Sequence, residues 1–208
     1  MKSMYARAGA GALCAALLAG CGGDDNGSLL LTVTVYGLIK PGLVLTNNNG
    51  EQDLSVPAGS DPSPSGTGQS VYFPNLIAQD ANFNVTVKSQ PTATTCTPVE
   101  GSNTGKANYY NAQRVVVQCV TNSYKLGGTI SGLTQDQVTL TNGSVTVTVR
   151  PETGSTFTFP GTVYDGLNYG VTVLTQPSGL TCSVQNGTGT MPSGDMLNVV
   201  VTCAPKSA

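Results

Sequence analysis

The chain has no histidine and no tryptophan among its 208 residues, and only 10% of them are charged. Without histidine there is no Ser-His-Asp or Cys-His machinery, and the commonest metal ligand is missing. Without tryptophan there is no buried indole of the kind that antibody domains pack against their bridge. No Gly-rich loop with its Lys stands between a strand and a helix, which excludes a P-loop. No apolar run reaches the roughly 20 residues of a membrane-spanning helix. Carboxylates are the remaining chemistry: Glu51, Asp53, Asp80 and Glu100, then Asp136, Glu152, Asp165 and Asp195. Most stand beside turn residues, so solvated or turn-capping roles are expected of them. Nothing meets the requirements of a catalytic site, and no enzyme and no cofactor are expected. Asp24-Asp25-Asn26 is rich in oxygen but lacks the spaced ligands and bidentate Glu of a calcium loop, so no metal is expected either.

The N-terminus carries Lys2 and Arg7, then an uncharged run from Ala8 to Leu18. That is the charged segment and short apolar segment of a secretory signal. The run ends in Leu18-Ala19-Gly20-Cys21, which resembles the lipobox of bacterial lipoproteins. The resemblance implies cleavage before Cys21, diacylglycerol on its thiol and an acyl chain on the new amine. Each buried methylene contributes about 0.8 kcal/mol, so several chains make a lasting anchor. Gly22, where an Asp would signal inner-membrane retention, resembles the outer-membrane default. Residues 1–20 are therefore expected to be a signal peptide and 21–28 a lipidated flexible tether. The expected location is the outer membrane, on its surface or periplasmic face. From Cys21 onward there are seven basic and eleven acidic residues, a net charge of −4. Nucleic acid, which needs clustered Lys and Arg, is not an expected partner.

Cys14 leaves with the signal, and Cys96, Cys119, Cys182 and Cys203 remain beyond Cys21. Four cysteines allow three connectivities. An internal duplication chooses among them. Gly42 to Asn47 resembles Asp136 to Asn142, and Phe73-Pro74 matches Phe159-Pro160. Asn82 to Val87 matches Asn168 to Val173, Gln90-Pro91 matches Gln176-Pro177, and Thr95-Cys96 matches Thr181-Cys182. Arg114 to Cys119 matches Asn198 to Cys203. Six matches in order describe two copies of one module, near 29–120 and 124–204. The economical pairing is Cys96–Cys119 and Cys182–Cys203, one bridge per copy. With no CxxC pair and no histidine, zinc is a poor competitor, and export favours disulfides.

Apolar and polar residues alternate in Val145 to Val149, Thr156 to Phe159 and Tyr169 to Val173. Such alternation of β-branched and aromatic residues marks half-buried strands. Asn142-Gly143, Asp165-Gly166, Pro177-Ser178-Gly179 and Asn186-Gly187 punctuate them as turns. The expectation is all-β: two tandem immunoglobulin-like β-sandwich modules, each with a bridge between late strands. Ser60 to Gly68, an insertion in the first copy, reads as a mobile exposed loop, with ligand binding or O-glycosylation as the sharper alternative. Tyr109-Tyr110 suits a binding surface but also pairing across strands, and the structural role is the favoured one.

The second copy runs from Gly127-Gly128-Thr129 through Gln176-Pro177-Ser178-Gly179-Leu180-Thr181-Cys182 and Gly187-Thr188-Gly189-Thr190 to Cys203. It resembles a module that occurs, often in tandem, in envelope lipoproteins of Gram-negative bacteria. The first copy lacks the Gly-Gly-Thr opening and the Gly-rich stretch, and so resembles a diverged member. The resemblance implies a sandwich in the cell envelope and carries no catalytic residues. The leading expectation is a non-enzymatic lipoprotein, held to the membrane by its lipid, that serves envelope structure, adhesion or host contact. The alternative is a carbohydrate- or peptidoglycan-binding module that uses tyrosines and Asn47-Asn48-Asn49. Any protein or glycan ligand is left open.

Overall fold

The computed structural model describes residues 28–48 and 50–206. The signal peptide, Cys21 and the tether as far as Gly27 lie outside the described residues, as does Asn49. Ten strands form in each copy, and each strand of the first has its counterpart ten places later. The first copy holds β1 (Ser28–Leu29), β2 (Thr32–Tyr36), β3 (Leu43–Asn47), β4 (Gln52–Val56) and β5 (Gln69–Tyr72). It continues with β6 (Ile77–Ala78), β7 (Asn82–Ser89), β8 (Thr94–Pro98), β9 (Thr104–Lys106) and β10 (Val115–Thr121). The second holds β11 (Ser123–Tyr124), β12 (Leu126–Ser131), β13 (Val138–Asn142), β14 (Val145–Val149) and β15 (Thr156–Thr158). Then come β16 (Val163–Tyr164), β17 (Asn168–Thr175), β18 (Leu180–Gln185), β19 (Thr188–Thr190) and β20 (Met196–Pro205). Two single turns of 3-10 helix, Asn111–Gln113 and Pro151–Thr153, are the only helical elements among the described residues.

In the first copy, one sheet has the order β5-β2-β10-β8 and the other β4-β3-β7-β9. The second copy repeats this as β15-β12-β20-β18 and β14-β13-β17-β19. Its first long strand runs parallel to its last, β12 beside β20, as β2 runs beside β10; the other pairings are antiparallel. A two-stranded ladder, β1 with β6 or β11 with β16, opens each copy. The irregularities repeat as well: a register shift falls between Val44 and Leu45 on β3 and between Thr139 and Leu140 on β13. The protein is thus two immunoglobulin-like β-sandwiches in the broad sense, two facing four-stranded sheets apiece.

Inward residues of both sheets meet in a separate core for each copy. Val33 and Val35 of β2 and Val115 and Val117 of β10 face Leu43 and Leu45 of β3 and Phe83 and Val85 of β7. In the second copy Ile130, Val199 and Val201 meet Val138, Leu140, Tyr169 and Val171. Phe73 and Phe159, the matched Phe-Pro residues, are buried at the same place, and each amide donates to the carbonyl of Leu31 or Leu126. The valines of β14 alternate as half-buried strands do, but this is an edge strand. Val149 is buried, Val147 partly so, and Val145 is exposed. The Gly-Gly-Thr opening has a steric origin. At Gly128, next to the irregular pairing of β12 with β20, a Cβ would run into the carbonyl of Val199. In the first copy this pairing is regular, and Val33 sits at the same position, fully buried.

Candidate functional site

Each copy is closed by a bridge between directly opposed residues of adjacent strands: Cys96 with Cys119 and Cys182 with Cys203. Two further groups converge on it. The side-chain amide of Gln90 accepts from the backbone N–H of Cys96 and donates to the same residue's carbonyl, both at 2.8 Å. Gln176 does the same to Cys182, at 2.7 and 2.9 Å. The matched Gln-Pro pairs therefore satisfy both backbone groups of a cysteine on an outer strand, where no further strand can reach them. Gly37 and Gly132 follow β2 and β12 with φ of 72° and 75°. A Cβ on either would strike the carbonyl of Cys119 or Cys203, so the chain can pass the bridge there only as glycine.

The junction between the copies is short and tied on both sides. Asn122 alone separates β10 from β11. Its N–H donates to Ala93 of the first copy, and its carbonyl accepts from Asp165 of the second, each at 2.9 Å. The Asp165 carboxylate then reaches back and forms an ion pair with Lys40 of the first copy. Asp165 is only 3% exposed, which corrects the expectation of a solvated turn residue. The Lys40 ammonium first and the Ser193 hydroxyl second hold its carboxyl below the usual range, against the opposing effect of burial. Its second oxygen, Oδ2, is buried with no well-formed hydrogen bond. Lys40 also lies along Gly166, whose absent side chain leaves room for the Lys40 stem.

Tyr109 and Tyr110 are both strongly exposed, with ring centroids 5.6 Å apart in an edge-to-face pair. They sit in the turn before the helical turn Asn111–Gln113 and pair across no strand, which corrects the favoured expectation. The loop is preorganised: Asn108 Oδ1 accepts from the amides of Tyr110 and Asn111, and Ala112 is buried beneath. On the same loop, Asn111 and Arg114 help to line a cavity of about 340 Å³ with Glu100, Ser102, Thr104 and the edge of Phe83. That volume falls at the small end of ligand sites. In the second copy the residue matching Phe83 is Tyr169, whose hydroxyl projects to Gly189, the match of Gly105. Phenylalanine leaves that space open in the first.

Other expected binding features are used internally. The Ser60 to Gly68 loop is exposed at Pro64 to Thr67 and carries hydrogen bonds of its own. Asp61 accepts from the amides of Ser63 at 2.9 Å and Thr67 at 2.6 Å, and Gln118 donates to the Pro64 carbonyl. The Thr67 and then the Ser63 amide hold the Asp61 carboxyl below its usual range. Asn47 is buried, and its Oδ1 accepts from the Asn84 amide, as that of Asn142 does from Gly170. Asn48 bonds the Asn82 carbonyl and Glu51. Asp53 pairs with Lys88, Asp136 accepts from Ser178, and Asp195 from Lys125. Among the described residues no group of three or more His, Cys, Asp or Glu could hold a metal, and no helix is long and apolar enough to cross a membrane.

No protein-family model and no curated protein matches the chain. Among solved structures it is similar to a single B repeat unit of the collagen-binding surface protein of Staphylococcus aureus. That match has 14% identity, covers 86% of this chain and all of that one, and has a TM-score of 0.31. A structure of two such repeats matches at 13% identity over 87% of this chain, with a TM-score of 0.32; the match spans 50% of that longer chain. The major pilin protein of Streptococcus pyogenes matches at 12% identity over 86% of this chain and 97% of its own, with a TM-score of 0.36. Likenesses this loose identify neither a family nor a ligand; the strand pairings of the chain itself define the sandwich.

Proposed function

We propose that the chain is a non-enzymatic, lipid-anchored envelope protein that displays two β-sandwiches as one stiff unit at the outer membrane, for envelope structure, adhesion or host contact. The observation that carries this is the junction. One connecting residue is hydrogen-bonded to both copies, and a buried carboxylate of one copy pairs with a lysine of the other. An enzyme or a freely jointed pair of binders does not need such a joint; a spacer or display element does. The Leu18 to Cys21 segment supports the anchor. Protease treatment of intact cells, with permeabilised cells as the control, tests the role. Digestion of intact cells fits adhesion or host contact, and protection until permeabilisation restricts the role to the periplasm. Replacing Cys21→Ser is expected to release the protein from membranes; continued membrane association removes the lipid anchor from the reading.

A second reading, glycan binding, is favoured by the cavity beside Asn111. Glu100 can accept hydrogen bonds from hydroxyls, Arg114 and Asn111 can donate them, and the near balance of charge suits an uncharged ligand. A glycan array probed with the full chain and with Arg114→Ala separates the readings. Binding that depends on Arg114 favours the second, and no binding sets it aside.

A further inference from the structure

One end of the first sandwich is unusually apolar for a water-facing surface. Leu30 is 42% exposed, Tyr72 60%, Leu76 57%, Tyr109 68% and Tyr110 74%. The pairings put all five at the same end. Leu30 joins β1 to β2, Tyr72 pairs with Thr32 at the start of β2, and Leu76 precedes β6. The tyrosine loop leads into β10, whose first residue lies beside Val33. This is also the end where the chain enters, because β1 begins at Ser28.

The second copy supplies an internal control. Its matching positions are Lys125, Thr158, Thr162, Ser193 and Gly194, polar or small at all five, and the exposed leucines at that end, Leu167 and Leu197, stand where the first copy has Ala81 and Gln113. The backbone is held alike in the two copies around Leu30, Tyr72 and Leu76 and as far as Ala107 and Met191; beyond these the first copy makes the helical turn Asn111–Gln113 where the second enters β20 at Met196. The amide of Asp80 donates to Ala107 and that of Gly166 to Met191, while Ala107 and Met191 donate back to Ala81 and Leu167. The fold therefore does not require apolar residues there. What differs is the neighbour: this end of the second copy faces the first through the Lys40–Asp165 junction, whereas this end of the first is where the chain enters at Ser28.

The geometry points to the membrane surface as the occupant: the Leu30–Tyr72–Leu76–Tyr109–Tyr110 end of the first sandwich docks on the lipid interface. This rests on the reading of Cys21 as the lipid site. Residues 21–27 then span at most about 25 Å fully extended, so this end cannot leave the bilayer surface by more than that. Tyrosine and leucine suit that boundary, since a tyrosine ring buries its body and keeps its hydroxyl in the headgroups. Lys106 and Arg114 at this end are matched by Asp80 and Glu100. The contact is therefore apolar in origin and insensitive to salt. With its base on the bilayer, the stiff junction makes the second copy project outward.

The absence of tryptophan makes a direct test possible. Full-length lipidated protein carrying Tyr110→Trp is placed in phosphatidylcholine vesicles with plain or brominated acyl chains. Seated about 5–10 Å deep, the indole is expected to lose about half its emission in the brominated vesicles. Leu174→Trp, at an exposed site on β17 of the second copy, is expected to lose none. Adding Leu30→Lys, Tyr72→Thr, Leu76→Thr and Tyr109→Ser to Tyr110→Trp is expected to abolish the quenching. Equal brightness of the position-110 indole in both vesicles, in protein that floats with them, overturns the docking and leaves the anchor intact. Quenching that survives the four added replacements overturns it as well. Protein that does not float removes the anchor, and the docking with it.

Discussion

Replacing Lys40→Met tests whether the junction is a mechanical element or an incidental contact. The change keeps most of the apolar stem and removes the charge. It strands the Asp165 carboxylate, 3% exposed and already short of a hydrogen bond at Oδ2. Two limits bracket the cost at pH 7. The lower is the loss of one charge-assisted hydrogen bond, about 1.5–3 kcal/mol. The upper is set by protonation. An unpaired Asp165 can neutralise itself, and moving a carboxyl from its ordinary value of 3.8 to above pH 7 costs about 4 kcal/mol. The expected loss is about 2–4 kcal/mol, toward the lower figure because Lys40 keeps 19% of its side-chain exposure. In a domain of this size that lowers a thermal midpoint by about 10 °C. The sign with pH is fixed. The pair depresses the folded pKa of Asp165, so its stabilisation is present above the unfolded value of 3.8 and disappears as pH falls through the lower folded value. The difference between the wild-type chain and Lys40→Met should therefore shrink between pH 7 and pH 3. Chemical denaturation at both pH values, with probes that report the two copies separately, measures it. A cost under about 0.5 kcal/mol at pH 7, or an equal cost at pH 3, refutes a buried pair at the junction. The double variant Lys40→Met, Asp165→Leu should recover most of the loss, since removing both partners leaves no stranded charge.

Cys182→Ala should cost the second copy about 3 kcal/mol, from the loop-entropy model applied to a separation of 21 residues; an unchanged denaturation midpoint of the oxidised protein contradicts this. Gln176→Leu removes the two hydrogen bonds to Cys182, and a loss of about 1–2 kcal/mol is expected, with faster hydrogen exchange at the Cys182 amide; unchanged exchange would show that water replaces the glutamine at no cost. Asp61→Ala should open the Ser60 to Gly68 loop to limited proteolysis, and acidification of the wild-type protein below the depressed carboxyl pKa should do the same; a loop equally resistant in the variant shows that Asp61 does not pin it.

The strands were legible because alternation in a sandwich has a direct cause: one face meets the core and the other meets water. Tyr169 to Val173 and Val115 to Cys119 show this, with burial following every second residue. The two-residue ladders β1–β6 and β11–β16 left no such pattern, because two residues make no period. Features that join distant residues were hidden. Lys40 and Asp165 lie 125 positions apart, and Asp165-Gly166 looks like any other turn signal. In the Ser60 to Gly68 loop, composition showed exposed irregular backbone but not its hydrogen bonds. Proline and serine there mark irregular backbone, but Asp61, which supplies the order, counts as one more polar residue. The Gln-Pro matches were visible as a repeat without a reason until the glutamine was seen to bond both backbone groups of a cysteine. For Tyr109-Tyr110 the missing signal was the strand context: Asn108, which folds its side chain over the next amides, is a turn former and points away from a cross-strand pair.

Duplication allows structural residues to be separated from others within one chain. Residues the copies share each answer a constraint of the sandwich: Gly37 and Gly132 pass the bridge, and Asn47 and Asn142 cap the neighbouring strand. Gln90 and Gln176 clamp the bridged strand, and Phe73 and Phe159 fill the same part of the core. A residue that differs at a position where the backbone is the same has been released from that constraint and answers to its surroundings. On the first copy such differences include the exposed leucines and tyrosines at the end where the chain enters, and, at the cavity, Arg114 for Asn198 and Phe83 for Tyr169. On the second they include the junction, where Asp165 replaces Gln79 and finds Lys40. Under the proposed reading, these are places where each copy meets something other than itself. That is the pattern expected of a membrane-proximal base carrying a distal module, rather than of two equivalent binding units.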